Sequence, residues 1–256
     1  MCSVVILRRP GHPWPVLIAA NRDEMANRPW LAPGRHWPAQ TDVIGGLDVL
    51  AGGSWLAIND AGVICGVLNR MNTLGPAPNL SSRGDLPLTA LQHANAEAAA
   101  DALAALDPGR FRPFNAFVID RTSGYWLRAL PGAPSCGGAA ARIERTPLPD
   151  GLSMLTAFDL NDETSPRIGR FLPRFAAAPA PDPDRDDWQA WRTLLADRSA
   201  DPGAGPGGAM TVVTPTGFGT VSSSLLAQGD KAAGGRTTIW LFAAGRPGET
   251  ALTRVV

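Results

Sequence analysis

Apolar residues come in short runs broken by proline, glycine and Asx residues. "SVVIL" and "VLIAAN" flank the breaker-rich "RRPGHPWP", which predicts a strand, a turn and a second strand. Residues 25–42, with Pro29, Pro33 and Pro38, read as loop. "GGSWLAIND" and "GVICGVLNR" predict a second hairpin that turns at residues 60–62. After a further loop at 72–85, the Ala-rich stretch from Leu88 to Leu106 predicts one or two helices. "NAFVID" and "GYWLRAL" make a third hairpin, and "SMLTAF" a short strand.

The pattern then changes to helical spacing. "SPRIGRFLPRF" predicts a helix capped by Ser165, with Pro166 in its first turn. A proline-rich spacer leads to the amphipathic "DWQAWRTLLAD", and a Gly-Pro loop follows. "TVSSSLLA", "RTTIWLFAAG" and "TALTRVV" read as three closing strands. Antiparallel hairpins separated by helical blocks indicate an α+β fold, not alternating βαβ units. No internal repeat and no dividing linker is visible, so the expectation is one domain over residues 1–256.

Composition narrows the function classes. Net formal charge is zero over 256 residues, which removes the electrostatic argument for a nucleic-acid partner. No apolar stretch is long enough for a membrane-spanning helix. The start lacks a signal-peptide pattern, so a cytoplasmic location is expected. The three cysteines, Cys2, Cys65 and Cys136, are widely spaced and lack a C-x-x-C, which argues against disulfides and zinc. His12, His36 and His93 do not make a metal-ligand spacing. No cofactor is expected.

Candidate chemistry begins at Cys2. Residue 2 is small enough for Met1 to be removed, and removal would leave a thiol and an α-amine on one residue. An α-amine titrates near ~8, so part of it is neutral and basic at pH 7. It can then accept the thiol proton, as in N-terminal nucleophiles. Taken alone, Cys2 reads first as a small core residue. "NRDE" (Asn21, Arg22, Asp23, Glu24) ends the strand that returns towards Cys2. Strand alternation places Arg22 and Glu24 on one face, Asn21 and Asp23 on the other. Taken alone, these read as a solvated strand end with a surface ion pair. Asn69 ends an apolar strand, where its amide could donate to an oxyanion or simply shape a turn. Cys65, among Ile64, Gly66 and Val67, reads as core.

Together, Cys2, "AANRDE", Arg28-Pro29, "GSWL" at 53–56, Gly62, Asn69 and Arg83-Gly84 resemble the NRDE family, also called transport and Golgi organisation 2 (TANGO2). The resemblance is strong over the first third and weaker at "FNAFVID" and "GTVSSSLLA". It implies distant similarity to N-terminal nucleophile hydrolases of the penicillin V acylase and bile acid hydrolase branch. The implied fold is a four-layer αββα sandwich of antiparallel sheets. The implied activity is hydrolysis of an amide or ester bond. Cys2 would be the nucleophile, Asp23 would hold the α-amine and Asn69 would donate to the oxyanion. An arginine near a later helix start matches Arg167 or Arg170. Residues expected to border the ligand are Asn21, Arg22, Glu24, Arg28, Trp55, Arg167 and Arg170. Two departures stand out. Ala157 occupies the place of a second oxyanion asparagine, with Asn161 too far along, and Arg22 sits differently from the acylases' strand-end arginine. A rival reading from the same family is a non-catalytic carrier of a small ligand such as haem, in a cleft lined by Trp30, Trp37, Trp55 and Trp126. Either way the expected partner is a small molecule, and the sequence leaves the oligomeric state open.

Overall fold

Two short apolar runs build the first hairpin. The computed structural model describes residues 2–75, 77–132, 140–230 and 235–256; Cys136, read above as an unpaired thiol, lies outside them. Strand β1 (Ser3–Arg8) pairs antiparallel with β2 (Val16–Met25), Ser3 opposite Asn21 and Arg8 opposite Val16. Gly11, at φ +81°, gives the proline-rich turn its left-handed residue.

Contacts divide the chain into two compact units, residues 1–28 with 149–256, and residues 29–148. The first unit adds β10 (Gly151–Leu155), β11 (Phe218–Gln228), β12 (Ile239–Ala243) and β13 (Thr253–Arg254) to the hairpin. They form a six-stranded antiparallel sheet in the order β10-β1-β2-β11-β12-β13. Strands from both ends of the chain therefore interleave, and β2 and β11 lie in the middle. Helices α3 (Pro166–Ala177) and α4 (Gln189–Leu195) pack on one face of this sheet. Ser165 accepts the Ile168 N–H, and Pro166 occupies a position that needs no N–H partner. Ile168, Phe171 and Phe175 recur at helical spacing and bury against Val5, Leu17, Ala19 and Leu225. Phe175 meets Trp191 of α4 edge-on, with ring centroids 5.5 Å apart.

The second unit is a seven-stranded antiparallel sheet in chain order. Its strands are β3 (Trp30–Gly34), β4 (Val43–Asp48), β5 (Leu56–Asn59), β6 (Ile64–Asn69), β7 (Phe114–Ile119), β8 (Gly124–Pro131) and β9 (Ala140–Pro147). The Ala-rich stretch forms two helices, α1 (Asp85–Ala90) and α2 (Ala96–Ala104). Small alanines let α2 lie close to the sheet, where Leu103 packs with Phe114, Val118 and Leu127 in one core. Each unit is thus one antiparallel sheet with helices on one face, and the fold class is α+β, as the hairpin pattern predicts.

Three strands depart from the sequence reading. Residues 25–42, expected to be loop, contain β3; Pro33 is tolerated because β3 is an edge strand. Strand β4 carries Gly45 and Gly46, which obscure its apolar pattern. Both are packing sites, since a Cβ on Gly46 would lie 2.2 Å from the Trp55 ring. Strand β9 carries three charged residues, and all but Ala140 are at least partly exposed, so no apolar pattern marks it. No helix among the described residues is long and apolar enough to cross a membrane.

Candidate active site

The hairpin pairing carries the return end of β2 back to Cys2. The Cys2 Sγ donates to the main-chain oxygen of Asp23 over 3.7 Å. Cys2 is half-buried, and Asp23 is buried with its carboxylate fully out of solvent. A carboxylate in that setting needs compensating donors. Arg167 Nη1 donates to its Oδ2 at 3.1 Å, and the Thr220 hydroxyl donates to its Oδ1 at 2.6 Å.

Three elements supply these groups. Asp23 comes from the end of β2. Thr220 stands directly opposite it on β11, beside a bulge between Thr220 and Ser222. Arg167 lies in the first turn of α3, which the Ser165 cap fixes; its Nε donates to Gly207 O at 3.1 Å. The Val212 N–H donates to Thr220 Oγ1 at 2.8 Å, so the Thr220 proton is directed at Asp23. The result is a line of donors ending on one buried carboxylate: Val212 to Thr220 to Asp23, with Arg167 on the other oxygen.

The thiol is electrostatically restrained. Burial pushes its pKa up from the ordinary thiol value and the Asp23 charge pushes the same way, while Arg22 pulls against them. The neutral thiol is therefore the resting form near pH 7, and attack by sulfur needs a base. Cys65 is different in kind. It is fully buried on β6 between Ala57 and Val118, and burial alone raises its pKa strongly.

The other candidates divide by location. Arg22, with 5% of its side chain exposed, lies 3.9 Å from Glu24, and Glu24 lies 3.8 Å from Arg28, giving a short ionic chain at the strand end. Asn21 is a fastener: its amide donates to Leu195 O at 3.0 Å and to Met210 O at 2.9 Å, tying the end of α4 to β2. Of the two arginines left open by the sequence, Arg167 meets Asp23, whereas Arg170 pairs with Asp201 and Ser199. Asn161 serves a turn after β10, at φ +57°, where its Oδ1 accepts the Met154 N–H. Asn69 and Trp55 belong to the seven-stranded unit. Asn69 closes β6 opposite Phe114, and Trp55 packs edge-on against Trp30 with centroids 6.0 Å apart. Among the described residues, no group of three or more His, Cys, Asp or Glu is placed to hold a metal ion.

A family profile described as Transport and Golgi organisation 2 matches residues 1–135, which include Cys2, the NRDE stretch and Asn69. The chain belongs to the TANGO2 family. No curated protein sequence matches it. This TANGO2 chain is also similar in structure to a Caenorhabditis elegans N-acylethanolamine-hydrolyzing acid amidase (NAAA) ortholog. That likeness has a TM-score of 0.55 at 12% identity, covering 88% of this chain and 92% of the amidase. It is similar as well to the C2A mutant of a conjugated bile acid hydrolase from Clostridium perfringens. There the TM-score is 0.52 at 9% identity, covering 100% of this chain and 92% of the hydrolase. At these identities the likeness is one of fold, that of the N-terminal nucleophile hydrolases.

Thr220 is the site residue that sequence reasoning on this TANGO2 chain misses. A signal for it was present. "GTVSSSLL" sets Thr220, Ser222, Ser223 and Ser224 in a strand, and all four are buried. Most buried hydroxyls in a central strand find partners there.

Proposed function

We propose that this chain is an N-terminal nucleophile hydrolase acting on a C–N amide or related ester bond, with residues 1–256 as one functional domain. In this reading Met1 is removed. The α-amine of Cys2 then takes the thiol proton as Sγ attacks the substrate carbonyl. The protonated amine returns that proton to the leaving amine, giving a thioester on Sγ. Water, activated by the same amine, hydrolyses the thioester to a carboxylic acid and restores the thiol. Arg167 and Thr220 hold the Asp23 carboxylate beside the thiol, where it orients the ammonium. Arg22 offsets the field at sulfur. The oxyanion role of Asn69 rests on the family resemblance alone.

The observation that carries the reading is Cys2 Sγ against Asp23, whose buried carboxylate is clamped by Arg167 and Thr220. The raised thiol pKa fits a mechanism that supplies its own base. The two structural neighbours named for amide hydrolysis make N-acyl amides and bile-acid conjugates the first substrates to try.

The test is a panel of N-acyl amides incubated with the full chain, with intact mass spectrometry of the protein. Loss of Met1, release of a free carboxylic acid and a trapped thioester adduct on Cys2 are expected, and Cys2→Ala should abolish turnover. Retention of Met1 on natively expressed protein would sink the amine-base form. The carrier reading, haem included, predicts instead binding that survives Cys2→Ala with no turnover.

A further inference from the structure

We propose that the six-stranded unit holds a second ligand site, a preformed pocket for a small amphipathic carboxylate of the medium-chain fatty acid class. This site is independent of the Cys2 chemistry. A cavity of about 530 Å³, its open mouth included, lies between α4, β11, β12 and residues 247–252. None of Cys2, Asp23, Arg167 and Thr220 lines it.

Apolar side chains make up part of the lining, and its charged members are Arg192 and Glu249. Leu195, Leu225 and Ala243 are buried lining residues. Ser223 also lines the cavity, and its hydroxyl has no hydrogen-bond partner among the described residues. Exposed Arg192 stands at the rim, and its guanidinium makes no ion pair among the described residues. Glu249 lines the rim too, but its carboxylate is taken up by Arg198 and, at 3.6 Å, by Arg246. Two guanidinium groups therefore hold the Glu249 carboxylate, and Arg192 is left with capacity to spare. A planar fork of N–H donors matches a carboxylate. The apolar side chains suit a hydrocarbon tail, and the Ser223 hydroxyl offers one polar contact within.

The walls are fixed before any ligand arrives. Leu195 O receives hydrogen bonds from Asn21 at 3.0 Å and from the Thr211 hydroxyl at 2.7 Å. The loop is held by the Glu249 and Thr250 N–H groups, both donating to Arg246 O. It also packs closely: a Cβ on Gly245 would lie 2.1 Å from Thr250 Oγ1, and one on Gly248 would lie 3.1 Å from Ala196 Cβ. A site that does not have to be ordered on binding retains more of its contact energy.

Isothermal titration of the full chain with sodium octanoate tests the proposal, with 1-octanol as the uncharged control. Saturable octanoate binding is expected, with octanol weaker. Arg192→Gln should weaken octanoate by about tenfold or more, the loss of one charge-assisted contact. Ala251→Trp, at an exposed lining position outside the core, should block the mouth. Cys2→Ala should bind as the parent does. No saturable binding, or binding that Arg192→Gln and Ala251→Trp leave intact, would overturn the assignment. Loss of binding on Cys2→Ala would overturn it too, by moving the ligand to the thiol site.

Discussion

Replacing Arg167 with methionine keeps most of the side-chain volume and removes the charge facing Asp23. In the native protein the pair stands 3.1 Å apart, with 3% of the arginine side chain and none of the aspartate exposed. At an effective dielectric of about 20, charges at that distance attract by about 5 kcal/mol. The variant does not lose all of this, because the surroundings relax around the remaining charge. The Arg167→Met penalty should therefore be about 3–5 kcal/mol, the usual range for breaking a buried pair from one side. Urea unfolding by circular dichroism, variant against parent at pH 7, reads the difference. Asp23→Asn with Arg167→Met should recover part of the loss, since neither charge then remains buried. A penalty below about 1 kcal/mol, or a double variant no more stable than Arg167→Met alone, would refute a charge clamp at this site.

Three further outcomes are expected. Thr220→Val removes the donor to Asp23 and the acceptor for the Val212 N–H, and should cost about 1–3 kcal/mol in urea unfolding, whereas Thr220→Ser should restore most of it. In protein that retains Met1, thiol alkylation followed by peptide mass spectrometry should show Cys2 reacting with a midpoint above the ordinary thiol value of about 8.5, and Cys65 reacting only on unfolding; a Cys2 midpoint below that value contradicts the restraint described. Burial alone would raise Asp120, but N–H groups of Ala96, Ser123 and Thr122 outweigh it and hold its pKa below the usual carboxylate range. Asp120→Asn should therefore lower stability by about 1–2 kcal/mol at neutral pH, a deficit that disappears as acid protonates the parent's carboxylate; a deficit unchanged at pH 2–3 would contradict it.

The hairpins were legible because each is a local event. Short apolar runs around breaker-rich turns specify β1–β2, β5–β6 and β7–β8 without reference to the rest of the chain. Strand β4 was hidden because its glycines answer to Trp55 and Ala57, contacts with a neighbouring strand that no window of sequence contains. Strand β9 was hidden because most of its side chains meet solvent or form ion pairs, as Arg142 and Glu144 do. In the site, Cys2 and Asp23 are close in sequence and joined by one hairpin, so their meeting could be foreseen. Arg167 and Arg170 both sit in the first turns of one helix, and only the direction of that helix decides which faces Asp23. Thr220 lies 197 positions from Asp23, and its role depends on β11 pairing with β2.

The interleaving of the six-stranded sheet sets an order of events during synthesis. Strand β2 ends at Met25, but its other neighbour, β11, begins only at Phe218. A two-stranded hairpin alone is marginal in water. At translation rates of about 5–20 residues per second, the first hairpin waits roughly 10–40 s for the strand that completes its flank. Through that interval the Cys2 end is free of the sheet, and the Asp23 carboxylate is still hydrated. An enzyme acting on the nascent chain meets the Cys2 end during that interval, before residues 149–256 complete the unit around it.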